Sequence, residues 1–152
     1  MLRLLEKKTD SAAFICSLDE AIGAGSNWTE YRKLLDESHL VFVGEPTRFH
    51  VRPLTASQKS LATDHSAGAE AFFRELASSG SVPMSYMREA ARYAVSAVDN
   101  PDPSWPKPVI VRERGYAILS REVLDGLPDL VCIELALLAT ELEHGLEKLK
   151  KK

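Results

Sequence analysis

Toward the C-terminal end of the chain, Val131, Leu135, Leu138, Leu142 and Leu149 are separated by steps of four and three, with Gly145 where the next apolar residue falls due. Side chains at this spacing share one face of an α-helix, so the pattern predicts a long amphipathic helix over residues 127–152. Leu130, Ile133 and Leu137 widen the apolar arc in its first half, and the arc narrows to the stripe alone further on. A wide arc belongs to a helix lodged in a core and a narrow one to a helix seamed along a single partner. The pattern therefore predicts a helix that begins inside the domain and projects from it at its end.

The same reading applied upstream gives a series of shorter elements. Residues 1–22 mix charges with Ala12, Ala13, Phe14, Ile15 and Leu18, compatible with a short helix, and residues 1–26 read as a loosely attached N-terminal segment. Gly23-Ala24-Gly25-Ser26 forms a break. Asn27 followed by Glu30 is a capping box, and Trp28, Tyr31, Leu34 and Leu35 supply the apolar side of a helix ending near Ser38. Residues 40–43 and the strictly alternating Arg48-Phe49-His50-Val51-Arg52 flank Gly44-Glu45-Pro46-Thr47, which predicts a β-hairpin with Phe49 and Val51 inward. Thr55 and Gln58 make a second capping box, opening a helix that runs, with a break near residues 65–68, to Ala77. Met84, Met87, Ala91, Ala94, Val95 and Val98 predict a helix over 85–98, and four prolines among residues 101–108 impose an extended loop after it. Residues 109–111 and 116–119 flank Glu113-Arg114-Gly115 as a second hairpin, Ser120 caps a short helical turn, and Pro128 suits the first turn of the last helix. The expected architecture is a single α+β domain, mainly α-helical, with about five helices and two small hairpins.

Composition narrows the function classes. The chain has 152 residues and a formal net charge of −3, so it lacks the basic surplus that drives non-specific nucleic-acid binding. Its longest apolar runs fall far short of the ~20 residues that cross a bilayer, and its first residues lack the apolar centre of a secretory signal. Cys16 and Cys132 stand apart among apolar neighbours and read as buried free thiols in a reducing compartment. Spacing alone leaves a disulfide between them open.

Catalytic chemistry finds no spacing to occupy. His39, His50, His65 and His144 are scattered, without cysteine or carboxylate partners at metal-ligand intervals. Gly23-Ala24-Gly25-Ser26 has neither a preceding strand nor a following Lys-Ser or Lys-Thr pair, so it is a linker and not a phosphate loop. No serine sits in a nucleophile elbow. A site assembled from His50, Arg52 and Glu89 is the one enzymatic arrangement to weigh, and it is ranked below a binding role. No enzyme activity, cofactor or metal is expected. The residues best suited to meet another protein are Leu138, Leu142, Leu146 and Leu149 on the last helix, with Trp105, an aromatic residue in the polar proline loop, although packing on their own domain is the first reading for Trp105 and for the terminal leucines. Arg48, His50 and Arg52 would form a small positive strip, most simply the wet face of a strand.

Three stretches carry a family resemblance: Arg48-Phe49-His50-Val51-Arg52-Pro53-Leu54-Thr55; Ala91-Arg92-Tyr93-Ala94-Val95 with Val98-Asp99-Asn100; and Leu119-Ser120-Arg121-Glu122-Val123-Leu124-Asp125-Gly126-Leu127-Pro128 leading to Glu134-Leu135-Ala136. In this order they resemble the tail assembly chaperones of long-tailed bacteriophages. The resemblance implies a non-enzymatic protein that gathers the tape-measure protein while tail-tube subunits assemble around it, in the host bacterial cytoplasm. Such chaperones commonly occur in a short form and a frameshifted longer form, which gives Lys150-Lys151-Lys152 a second reading as the product of an adenine-rich slippery site, beside its plain one as a tail complementing the helix dipole. Homo-oligomerisation is compatible with this class, and neither nucleic acid nor membrane is an expected partner. The alternative is a virion structural component, an adaptor of neck, baseplate or capsid that docks on neighbouring virion proteins and stays in the particle.

Overall fold

The alternation at Arg48-Phe49-His50-Val51 is realised as the centre of a sheet. In the computed structural model, which describes residues 11–66 and 82–150 (backbone alone for 65–66 and 146–150), strand β2 (Arg48–Val51) buries Phe49 and Val51 and leaves Arg48 and His50 half-exposed. It pairs antiparallel on one side with β1 (Ala12–Phe14) and on the other with β3 (Val95–Asp99), giving the order β1-β2-β3. Phe14 and Val98 flank Phe49 in register. Ser96 is the extra residue of a β-bulge: His50 pairs with Ala97 and Val51 with Val95, and the Ser96 hydroxyl donates to the His50 carbonyl.

The helices follow their caps. Helix α1 (Trp28–Leu34) begins where the Asn27 side chain accepts the Glu30 N–H. Helix α2 (Ala56–Ser66) begins with a reciprocal box in which Gln58 N–H donates to Thr55 Oγ1 and Thr55 N–H donates to Gln58 Oε1. Helix α3 (Met84–Ala94) is followed by the hairpin of β4 (Ile110–Glu113) and β5 (Tyr116–Leu119), turning through Arg114 and Gly115, both at positive φ. Ser120 accepts the Val123 N–H to cap α4 (Arg121–Gly126), and Pro128 immediately precedes α5 (Asp129–Lys150). Helix α3 packs on α5, α2 and β5, and α5 reaches β2. The core lies between them, built on Phe14, Ile15, Tyr31, Val51, Val95, Leu119, Leu124, Leu135 and Leu138. Arg92, only 4% exposed, crosses from α3 to the hairpin and is satisfied by the Leu119 carbonyl at 2.9 Å and the Glu113 carboxylate at 3.0 Å.

The architecture is α+β, with five α-helices and sheets of three and two strands among the described residues. Four expectations require correction. Residues 40–43 do not form a hairpin with β2. Their backbone is tied to the Gly23 region instead, by Gly23 N–H to the Val41 carbonyl and Val43 N–H to the Ala21 carbonyl, and Phe42 makes one isolated bridge with Ile22. The helix expected over 85–98 ends at Ala94, and its last residues become β3: β-branched Val95 and Val98 suit a strand, and the open edge of β2 supplies backbone partners. No helix forms over residues 11–22, where β1 occupies the other edge of β2. Residues 12–16 are accordingly part of the domain and not a loose segment, since Phe14, Ile15 and Cys16 are buried. The stretch before Ser11 and the expected continuation of α2 to Ala77 lie outside the described residues.

Candidate functional site

Helix α5 is apolar on two sides. One side holds Val131, Cys132, Leu135, Leu138 and Ala139, all buried against α3 and the sheet. The other carries Leu130, Ile133 and Leu137 at helical spacing, with Leu130 44% and Leu137 48% exposed and Ile133 half-buried. A helix apolar around most of its circumference is normally enclosed. Here the second stripe is open, and with Trp28, Arg32 and Lys33 of α1 it lines a groove of about 410 Å³.

The walls of this groove are fixed from behind. Tyr31 is fully buried, stacks on Phe14 with ring centroids 6.1 Å apart, and its hydroxyl accepts the Ile15 N–H at 2.8 Å. Trp28 Nε1–H donates to the carbonyl of the same Ile15 at 3.3 Å. Arg32 reaches over α5 to Glu141 at 2.9 Å, and its guanidinium also lies 5.6 Å from the Phe14 ring centroid. Glu134, in the floor and 8% exposed, is held by Ser17 through its N–H at 2.9 Å and its hydroxyl at 2.5 Å. Burial pushes the Tyr31 phenol up to about 12 and raises the Cys16 thiol strongly, the latter also through the nearby charge of Glu134. Cys132 is raised by burial as well, so both free cysteines are unreactive packing residues.

The residues singled out by sequence fall elsewhere. Leu138 is 2% exposed and belongs to the domain's own core, so it offers no surface to a partner in this fold. Leu142 is partly buried against the same core. Leu146 and Leu149 lie in the last turns of α5, with side chains outside the described residues. Trp105 packs back on Phe49, ring centroids 6.1 Å apart, while also lining a cleft with Leu18 and Val43. The expected strip of Arg48, His50 and Arg52 is divided among three partners: Arg48 binds Glu37 at 2.7 Å, His50 binds Asp99 at 2.7 Å, and Arg52 donates to the Ala117 carbonyl. His50 and Arg52 share a cleft, but Glu89 is engaged with Arg121 and does not line it. The groove residues Leu130, Ile133 and Leu137 were visible in the sequence as a widened apolar arc; what the sequence withholds is that α1 leaves this side uncovered.

Among the described residues, no group of three or more His, Cys, Asp or Glu side chains is placed to hold a metal, and no helix is long and apolar enough to cross a membrane. Together the geometry defines a small α+β domain with an open apolar groove between two helices. In comparisons with known proteins, no family model, curated protein or solved structure matches the chain.

Proposed function

We propose that the chain is a phage tail assembly chaperone whose α1–α5 groove receives an amphipathic helical segment of the tape-measure protein while tail-tube subunits assemble. The observation that carries this reading is the open second stripe of α5, Leu130, Ile133 and Leu137, flanked by the charged Arg32, Lys33 and Glu141. An apolar floor between charged rims suits the apolar face of a client helix, which would anchor at positions three, four and seven apart. The resemblance carried by Arg48 to Thr55, Ala91 to Asn100 and Leu119 to Ala136 points to the same class of protein.

The test is co-purification with the tape-measure and tail-tube proteins of the same phage, comparing the natural chain with a Leu130→Asp/Leu137→Asp double variant. Both leucines are about half buried, so each substitution gives up existing apolar burial and helix propensity worth about 1–1.5 kcal/mol, and the folding of the double variant is checked by its thermal transition. Each leucine still has on the order of 1 kcal/mol of apolar burial to gain from a client, so the double variant should bind about ten- to a hundredfold more weakly. Val43→Asp, at a residue 72% exposed and outside the groove, should leave binding unchanged. Absence of complexes with either protein would refute the chaperone reading. Recovery of the chain from purified mature particles would replace it with a virion structural role.

A further inference from the structure

A second cleft, sharing no lining residue with the groove, has different chemistry. It encloses about 700 Å³ between β2, the start of α2 and the β4–β5 turn. Among the described residues no carboxylate lines it, whereas His50, Arg52 and Arg112 do. In a chain of net charge −3 this is a local reversal of sign.

Arg52 is the exception among its kind. Arg32, Arg48, Arg88, Arg92 and Arg121 are buried or half-buried and each is paired with a carboxylate. Arg52 is half-buried without one among the described residues: its Nη2–H donates to the Ala117 carbonyl and its guanidinium lies 5.9 Å from the Tyr116 ring centroid. Burial lowers its pKa, the direction expected for a cation whose surroundings do not offset its charge. Gln58 is fully buried, and its Oε1 takes the Thr55 N–H at the start of α2.

We propose that this cleft binds a small phosphate monoester, with Arg52 and Arg112 donating to the phosphate oxygens and Pro53, Leu54 and Tyr116 accommodating the organic group. The two guanidinium groups have no carboxylate partner among the described residues, so they call for a ligand that brings acceptors and negative charge. Two guanidinium groups line one cleft and offer more donors than the two oxygens of a carboxylate can accept, so the three oxygens of a phosphate dianion suit them better. The His50 side chain is left out of the set, because Asp99 already engages it at 2.7 Å. The cleft would bind its ligand whether or not the α1–α5 groove binds a helix.

The test is calorimetric titration of the full chain at low salt with phenyl phosphate, inorganic phosphate and benzoate. Phenyl phosphate should bind at one site, inorganic phosphate more weakly, and benzoate about tenfold or more weakly than phenyl phosphate. Arg112→Gln alters an exposed side chain that holds no part of the fold together, and should weaken phenyl phosphate binding about five- to tenfold. Arg52→Gln, checked for folding by its thermal transition, should weaken binding more than tenfold. Arg114→Gln, at a neighbouring exposed arginine outside the cleft, should leave binding unchanged. No phosphate binding by the natural chain, equal loss in Arg112→Gln and Arg114→Gln, full affinity in Arg112→Gln, or benzoate binding as tightly as phenyl phosphate would each overturn the proposal.

Discussion

Replacing Tyr31 with phenylalanine removes one oxygen from the centre of the domain and tests how the groove wall is held. The hydroxyl accepts the Ile15 N–H at 2.8 Å, and both residues are fully buried. The ring, stacked 6.1 Å from Phe14, would remain in place, so the loss in Tyr31→Phe is polar and not steric. The Ile15 N–H would be left in the core without an acceptor, a penalty of about 1–3 kcal/mol. The same oxygen gives an independent signature in pH. Burial pushes the folded-state phenol up from 10.0 to about 12, although the Ile15 N–H pulls the other way. The folded protein therefore holds this proton more tightly than the unfolded chain does. The corresponding stability is fully present below pH 10 and is lost as the pH rises from there through about 12, by an amount on the order of 2 kcal/mol.

Urea denaturation followed by circular dichroism, at neutral pH and in steps across that alkaline window, measures both effects. Tyr86, Tyr93 and the two cysteines are also raised by burial and contribute their own alkaline loss, so the informative quantity is the difference between the natural chain and Tyr31→Phe. That difference should be about 2 kcal/mol at neutral pH and should shrink as Tyr31 ionises in the natural chain. A variant within about 0.5 kcal/mol of the natural chain, or a difference that stays constant through the window, would refute the reasoning.

Two further substitutions examine the supports around the groove and the adjoining loop. A Cβ at Gly23 would lie 2.8 Å from Val43 Cγ1 and 3.1 Å from the Val41 carbonyl oxygen; the exposed valine can rotate away but the carbonyl, bonded to the Gly23 N–H, cannot. Gly23→Ala should therefore lower stability by about 1 kcal/mol in thermal melts, with Val43→Ala restoring only part of it, and full restoration would show that the backbone contact is harmless. Glu134→Ala leaves the Ser17 N–H and hydroxyl without their acceptor and should destabilise by about 2 kcal/mol, with Glu134→Gln losing less because one oxygen remains; equal losses in the two variants would argue against the hydrogen bonds as the cause.

The parts of this fold that were legible in the sequence are those whose information is local. The β4–β5 hairpin is announced by β-prone runs around Arg114-Gly115, and the starts of α1, α2 and α4 by Asn27, Thr55 and Ser120, because turn and cap chemistry acts within a few residues. The three-stranded sheet is different. Arg48–Val51 alternates as a strand should, but its partners Ala12–Phe14 and Val95–Asp99 lie far away in the chain, and the adjacent residues 40–43 are the more obvious mates. Val95 and Val98 continue the helical spacing of Met84, Met87, Ala91 and Ala94, so periodicity cannot show where α3 ends; pairing with β2 decides it. For the groove, sequence supplies the right residues with the wrong destination. Leu130, Ile133 and Leu137 read as part of a core arc, and only the placement of α1 shows that they border open space. The basic cleft is less legible still, because the absence of a carboxylate among the described residues that line it is a property of residues brought together from β2, α2 and the hairpin.

The anchoring of α1 and α5 bears on how the groove would work. A surface that must be ordered as it binds loses part of its affinity to that ordering. Here Trp28 is tied to the Ile15 carbonyl and Tyr31 to the Ile15 N–H, Arg32 is tied to Glu141 across the opening, and Glu134 is tied to Ser17 below it. The apolar floor is thus held by side chains whose polar groups already have partners, and a client helix need contribute mainly apolar contact. Such a site places few directional demands on the incoming sequence beyond its spacing and apolar face. That breadth suits a protein that engages successive segments of a long helical client, and it separates the groove from the second cleft, where two arginines would select for the charge of the ligand.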